Sequence, residues 1–187
     1  LINTTTPEQR RGNAEFFAMT EAELLTKTER AFPGKGAAVV AAFRSLDPQA
    51  PPAAVSSQIS SARFRQAAID QAAAKAAQGG ARAWLYRFDW ITPVLDGRPL
   101  AFHCAELPFV FDNVSRCATM TGNGARAHVL ADSIAGAWIA FARDGDPNHG
   151  GLPRWDSFDP AGKPTMLFDD RCRLIRNADT DALATLA

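Results

Sequence analysis

The residues best suited to chemistry lie together between Phe102 and Phe111. His103 is followed by Cys104 and then Glu106, with Phe102, Phe109 and Phe111 close by. An imidazole titrates near neutral pH, so it can take a proton and hand it on within one reaction cycle. The ordinary alternative is a packed, hydrogen-bonded histidine in an aromatic loop. Other chemistries fit less well. Adjacent residues such as His103, Cys104 and Glu106 seldom converge on one metal ion, and no second cluster completes such a site. The three cysteines, Cys104, Cys117 and Cys172, form no C-x-x-C pair. Cys104 as a nucleophile beside His103 fails similarly, because a Cys–His pair is normally assembled across a fold. No metal and no cofactor are expected.

Such a histidine needs a rigid element behind it. Ala83 to Trp90 is an apolar, aromatic-rich run long enough for a buried strand, and it breaks at Thr92-Pro93 and Asp96-Gly97. His103 therefore falls just past the end of a strand, where loops carry reacting groups. Downstream, Ala127, Leu130, Ala131, Ile134, Trp138, Phe141 and Ala142 keep the spacing of one helix face, ending at Arg143-Asp144-Gly145. At that spacing Trp138 and Phe141 are read as core. Upstream, Thr20 to Glu23 is a capping box for a helix through Leu24, Leu25 and Thr28, ended by Pro33-Gly34. A second helix is expected from about Ala37 to Ser45. After a loop at Gln49 to Pro52, an Ala-rich helix starts at Ser56 or Ser57, runs through Phe64, Ala68 and Ile69, and closes at Gly79-Gly80. Met166 to Phe168 and Leu174-Ile175 suggest two short strands or a hairpin.

Three stretches carry a resemblance: YRFDW at 86–90, AFHCAELPFVF at 101–111 and WIAFARDGDPN at 138–148. In order and spacing they resemble the C-terminal part of type B carboxylesterases, the cholinesterase-like branch of the α/β-hydrolases. The resemblance implies an α/β fold, the C-terminal part of an α/β-hydrolase: a mostly parallel sheet flanked by helices, with a helical insertion. Residues 1–187 would be the C-terminal portion of one such domain, and 14–80 its helical, cap-like insertion. Ala83 to Trp90 would be an interior parallel strand. It also implies that His103 is the base of a catalytic triad; Glu106, rather than ligating a metal, is read as anchoring the histidine loop by hydrogen bonds. The triad acid falls on Glu8, in a segment resembling the family's Ile-Gly-Thr-Thr stretch. Asn3 and Pro7 depart from that pattern, and Glu15 is a rival.

A serine hydroxyl becomes a useful nucleophile only when a neighbouring base takes its proton, and the acid fixes and charges that base. In α/β-hydrolases the chain order is Ser, acid, His, which Glu8 and His103 fit as the last two members. No G-x-S-x-G elbow occurs between Leu1 and Ala187. Ser133 is the nearest imitation, but it is placed mid-helix and after the histidine. The nucleophile and the oxyanion hole are thus expected from an N-terminal portion of the same enzyme, upstream or on another chain. Leu1 is expected to be a cut edge exposing apolar surface. The implied substrate is a small-molecule ester. The competing class is a cholinesterase-like binding or adhesion module without catalysis, for which a retained His103 has no chemical use.

Composition narrows the field further. Of 187 residues, 47% are hydrophobic, enough for the core of an ordinary domain. Twenty basic residues balance twenty acidic ones, so no bulk charge points to nucleic acid or an anionic membrane. No apolar run approaches the roughly 20 residues of a membrane span. Cytoplasmic and secreted locations both stay open. Asn3-Thr4-Thr5 and Asn113-Val114-Ser115 match the glycosylation sequon, and His128 and His149 read as surface residues.

Overall fold

In a computed structural model of the chain, residues 14–177 and 179–187 are described. Glu8, the Leu1 edge and the first sequon lie outside them. Four helices come first: α1 (Ala14–Phe17), α2 (Glu21–Ala31), α3 (Gly36–Leu46) and α4 (Pro52–Ala77). The capping box starts α2 as expected. The Glu23 amide donates to Thr20 Oγ1 at 3.3 Å, and the Thr20 amide donates to Glu23 Oε2 at 2.7 Å. The long helix α4 begins at Pro52, earlier than the expected Ser56 or Ser57. A proline in the first turn lacks only an amide that would have had no helical partner, and its fixed φ already suits the helix.

After α4 the chain forms β1 (Leu85–Phe88), a 3₁₀ turn at Val94–Gly97, α5 (Leu107–Val110), a second 3₁₀ turn at Val114–Cys117, and α6 (Ala118–Thr121). It continues through α7 (Ala125–Asp144), β2 (Thr165–Phe168), β3 (Arg173–Ile175) and α8 (Thr180–Ala184). The sheet order is β1–β2–β3. β1 and β2 run parallel, with Tyr86 opposite Met166 and Phe88 opposite Phe168, while β2 and β3 are antiparallel.

Strand alternation sorts the core into two layers. Leu85 faces the helical side, packing with Leu24, Val39, Phe43, Val55, Ile59 and Leu183. Tyr86 and Phe88 face the other way, with Met166, Phe168 and the α7 residues Ala127, Leu130, Ala131, Ile134 and Ala137. The helix over the sheet is therefore the one that the 127–142 spacing predicts. It ends where expected: Gly145 takes a left-handed φ of 68° and its amide donates to the Phe141 carbonyl at 2.9 Å.

Several expectations need correction. β1 is shorter than Ala83–Trp90, because beyond Phe88 a single further bond, Asp89 amide to Phe168 carbonyl at 2.9 Å, continues the pairing. Among the described residues it is an edge strand, paired only with β2, although both its faces are covered as in a central strand. Phe141 is 49% exposed and Phe64 58% exposed. Phe141 lies in the last turn of α7, beyond the last residue that α7 buries against the sheet, and meets Trp84 edge-on at 5.7 Å. Phe64 lies one turn before Ala68 on α4, yet only Ala68 is buried. Among the described residues, no helix is long and apolar enough to cross a membrane.

Candidate active site

The histidine loop is built outward from the C-terminal end of β1. Arg87 of β1 and Asp89, just beyond Phe88, form a two-pronged pair at 2.8 and 2.6 Å. Trp90 follows, only 1% exposed. Thr92 and Pro93 then stop the strand. The Thr92 hydroxyl donates to the Met120 carbonyl at 2.6 Å and accepts from the Val94 amide at 3.2 Å, while Pro93 has no amide for a ladder.

Backbone strain collects between here and the residue just after the histidine. Leu95, Asp96, Leu100 and Cys104 take φ values of 53°, 57°, 54° and 67°, a region that L side chains avoid. Gly97, at φ 77°, also approaches Ile91 closely enough that a Cβ would lie 3.3 Å from its Cγ2. Such residues cost of order 1–3 kcal/mol each and persist where surrounding packing dictates them. That packing is visible. Ala105 is buried and Phe109 fully buried. The Phe109 ring sits 5.2 Å from that of Phe88 and 5.0 Å from that of Trp90. Aromatic pairs at these separations add to plain burial.

His103 rides on this platform. The Ala105 amide donates to the Phe102 carbonyl at 3.0 Å and the Leu107 amide to the Cys104 carbonyl at 3.2 Å, closing a tight turn that leads into α5. The strained Cys104 is the hinge of that turn. His103 itself is exposed, so it can meet a group brought from outside. Glu106 starts α5 through its carbonyl, which accepts from the amides of Phe109 and Val110 at 2.9 and 3.0 Å. Its charge is felt by Tyr86, whose hydroxyl is pushed far above the ordinary tyrosine range, first by burial and then by Glu106.

The other candidates lie elsewhere. Glu15 is exposed on α1 and borders a groove with Met19, Glu23, Lys27 and Arg30, which includes no residue of the histidine loop. Glu8 lies outside the described residues. Ser133 is half-buried within α7, its hydroxyl donating to the carbonyls of Val129 at 3.3 Å and Gly151 at 3.4 Å, so it is a helix residue with local bonds. His128 is exposed and contacts Asn123 Oδ1 at 2.9 Å. His149 is not the surface residue expected: it is half-buried, with Nε2 2.9 Å from the Ser133 carbonyl and its ring against Gly136. Among the described residues no cluster of His, Cys, Asp and Glu could hold a metal ion.

Two residues around the site, Asp170 and Arg126, escape a reading of the sequence. Asp170, in the turn between β2 and β3, accepts from Trp90 Nε1 at 3.0 Å and from Arg126 at 2.8 and 2.6 Å. Only the buried tryptophan after β1 could have hinted that its indole N–H needs an acceptor.

Comparison with known proteins agrees with this architecture. The model of the carboxylesterase family matches residues 41–184. Phenmedipham hydrolase of Pseudarthrobacter oxydans is 43% identical over 86 residues, covering 41% of this chain and 17% of its own length. Para-nitrobenzyl esterase of Bacillus subtilis is 31% identical over 103 residues, 54% of this chain and 21% of its own. Among solved structures, a carboxylesterase of Geobacillus stearothermophilus superposes with a TM-score of 0.76 at 27% identity, covering 99% of this chain and 39% of that one. An esterase of Clostridium hathewayi, described as able to hydrolyse aliphatic aromatic polyesters, gives 0.67 at 27%, covering 93% and 33%. The chain thus spans about a fifth of the length of these two relatives and rather more than a third of the first structure.

Proposed function

Because the chain belongs to the carboxylesterase family, we propose that it is the C-terminal portion of a serine-dependent carboxylic-ester hydrolase. His103 is the general base, Glu8 the orienting acid, and Glu106 a support for the histidine loop. The serine nucleophile and oxyanion hole come from the N-terminal portion, and the substrate is a small-molecule ester. Residues 14–80 act as the helical insertion beside the active site. The observation that carries the reading is the exposed His103 on a strained turn, anchored through Phe109 to the C-terminal end of a parallel strand. A binding module without catalysis has no need for a titratable ring held out at this cost in strain.

The steps follow from elementary acid–base chemistry. The imidazole of His103 takes the serine proton as the oxygen attacks the ester carbonyl, then donates it to the departing alcohol. In the second half it takes a proton from water as the water oxygen attacks the acyl-serine carbonyl. It then returns that proton to the departing serine oxygen, which releases the acid and restores the free base. The carboxylate behind the ring holds one tautomer and stabilises the imidazolium. The test is His103→Ala in the complete enzyme with a simple aryl ester. Loss of nearly all kcat with KM little changed supports the mechanism, and retention of most of the rate overturns it.

A further inference from the structure

We propose that Asp170 and Arg126 are positioning residues for His103, acting through Trp90 and Phe109; this rests on the reading of His103 as the base. The connection is continuous. Asp170 Oδ1 accepts from both Trp90 Nε1, at 3.0 Å, and Arg126 Nε, at 2.8 Å, and Oδ2 accepts from Arg126 Nη2 at 2.6 Å. The Arg126 guanidinium also lies 5.4 Å from the centre of the Trp90 ring. The indole is thus gripped at its edge by a carboxylate and on its face by a cation, which fixes its tilt. Its ring in turn meets Phe109 edge-on at 5.0 Å. Phe109 belongs to α5, the helix that closes the histidine turn.

Three parts of the fold meet in this clasp: the end of β1, the first turn of α7 and the β2–β3 turn. Arg126 and Asp170 are half-exposed, with 53% and 50% of their side chains open to solvent. An exposed pair of this kind adds little to stability, so the stability of the fold does not explain its threefold bonding. Trp90, by contrast, is buried with its ring against that of Phe109, so a change in its tilt bears on Phe109. Small displacements of a catalytic base are costly to rate and leave substrate binding through other groups intact.

The experiment uses the complete enzyme and an aryl ester, with His103→Ala run in parallel. Asp170→Asn loses the charge but keeps the shape, and kcat falls about tenfold with KM unchanged, as expected when a reacting group is misplaced and the substrate is still bound normally. Arg126→Lys gives an intermediate loss, because an ammonium cannot make the two-pronged bond. Raising ionic strength lowers kcat of the unmodified enzyme more than that of Asp170→Asn, since the pair is open to screening. If Asp170→Asn does not fold, Arg126→Gln breaks the same clasp from its exposed side and carries the same expected loss. Wild-type kcat in these variants, while His103→Ala is inactive, overturns the clasp and leaves the base in place. An active His103→Ala enzyme overturns the base, and the clasp with it.

Discussion

Arg65 of α4 and Asp179, at the start of α8, are joined at 2.7 Å across 114 residues of sequence, with only 11% and 8% of their side chains exposed. Arg65 also donates to Thr165 Oγ1 at 2.9 Å, and Arg87 of β1 lies 3.6 Å from Asp179. The carboxylate of Asp179 therefore ties the long helix and β1 to the C-terminal helix, and its partner Arg65 adds β2 through Thr165. Removing one partner of such a buried pair leaves an uncompensated charge. Asp179→Ala is expected to destabilise the fold by about 3–5 kcal/mol, measured by denaturant unfolding. A change below about 1 kcal/mol would mean that solvent reaches Arg65 freely.

The acid of the proposed triad is tested by charge, with shape preserved. Glu8→Gln in the complete enzyme removes the group that stabilises the imidazolium, and a fall in kcat of up to about 10⁴-fold is expected. Glu15→Gln should leave the rate unchanged, since Glu15 borders a groove that no histidine-loop residue lines. The reverse pattern would move the acid to Glu15 and keep the mechanism. Cys104→Ser should also keep the rate, because the thiol has no role in the chemistry.

Signals that act within one turn of chain are plain in the sequence. Thr20 and Glu23 cap a helix because their donors and acceptors lie within one turn, and Gly145 ends α7 because it alone there adopts a left-handed φ without strain. The position of His103 past a strand is legible for the same reason, since a polar break after an apolar run is a local event. Relations between distant segments are not. Nothing near Arg65 signals Asp179, and nothing near Asp170 signals Trp90, because each partner is chosen by the tertiary fold. Phe64 and Phe141 show the converse: helical spacing assigns a face, but only packing decides how far along it burial extends. Pro52 misleads because the rule that proline breaks helices holds in the interior and not in the first turn.

The capping box makes α2 sensitive to acid. Glu23 is held below the ordinary carboxylate value of 4.5, first by its bond from the Thr20 amide and then by the Thr20 hydroxyl. A carboxyl whose pKa is lower folded than unfolded contributes stability above its unfolded value, and loses it as pH falls through the folded one. Thermal unfolding of Glu23→Gln and the unmodified chain should differ at neutral pH and converge as pH falls below 4.5 and through the lowered folded value. Parallel curves across that range would show that the carboxylate's charge adds nothing to the cap.

Tyr86 offers a test in the opposite direction, a substitution expected to stabilise. Its ring is held edge-on by Trp138 at 5.1 Å, Phe168 at 5.5 Å and Trp155 at 6.4 Å, so it cannot swing to bring its hydroxyl to water. The hydroxyl is buried and reaches no hydrogen-bond partner among the described residues. Burial of an unpaired polar group costs about 1–3 kcal/mol, whereas the ring packing of a phenylalanine would be the same. Tyr86→Phe is therefore expected to raise stability by about 1 kcal/mol, read as a higher denaturation midpoint at unchanged m value. The opposite result, a loss of stability, would mean that the hydroxyl is bonded in solution. Glu106, whose charge already bears on Tyr86, would be its first candidate acceptor, and Glu106→Gln should then remove the difference between tyrosine and phenylalanine at this position.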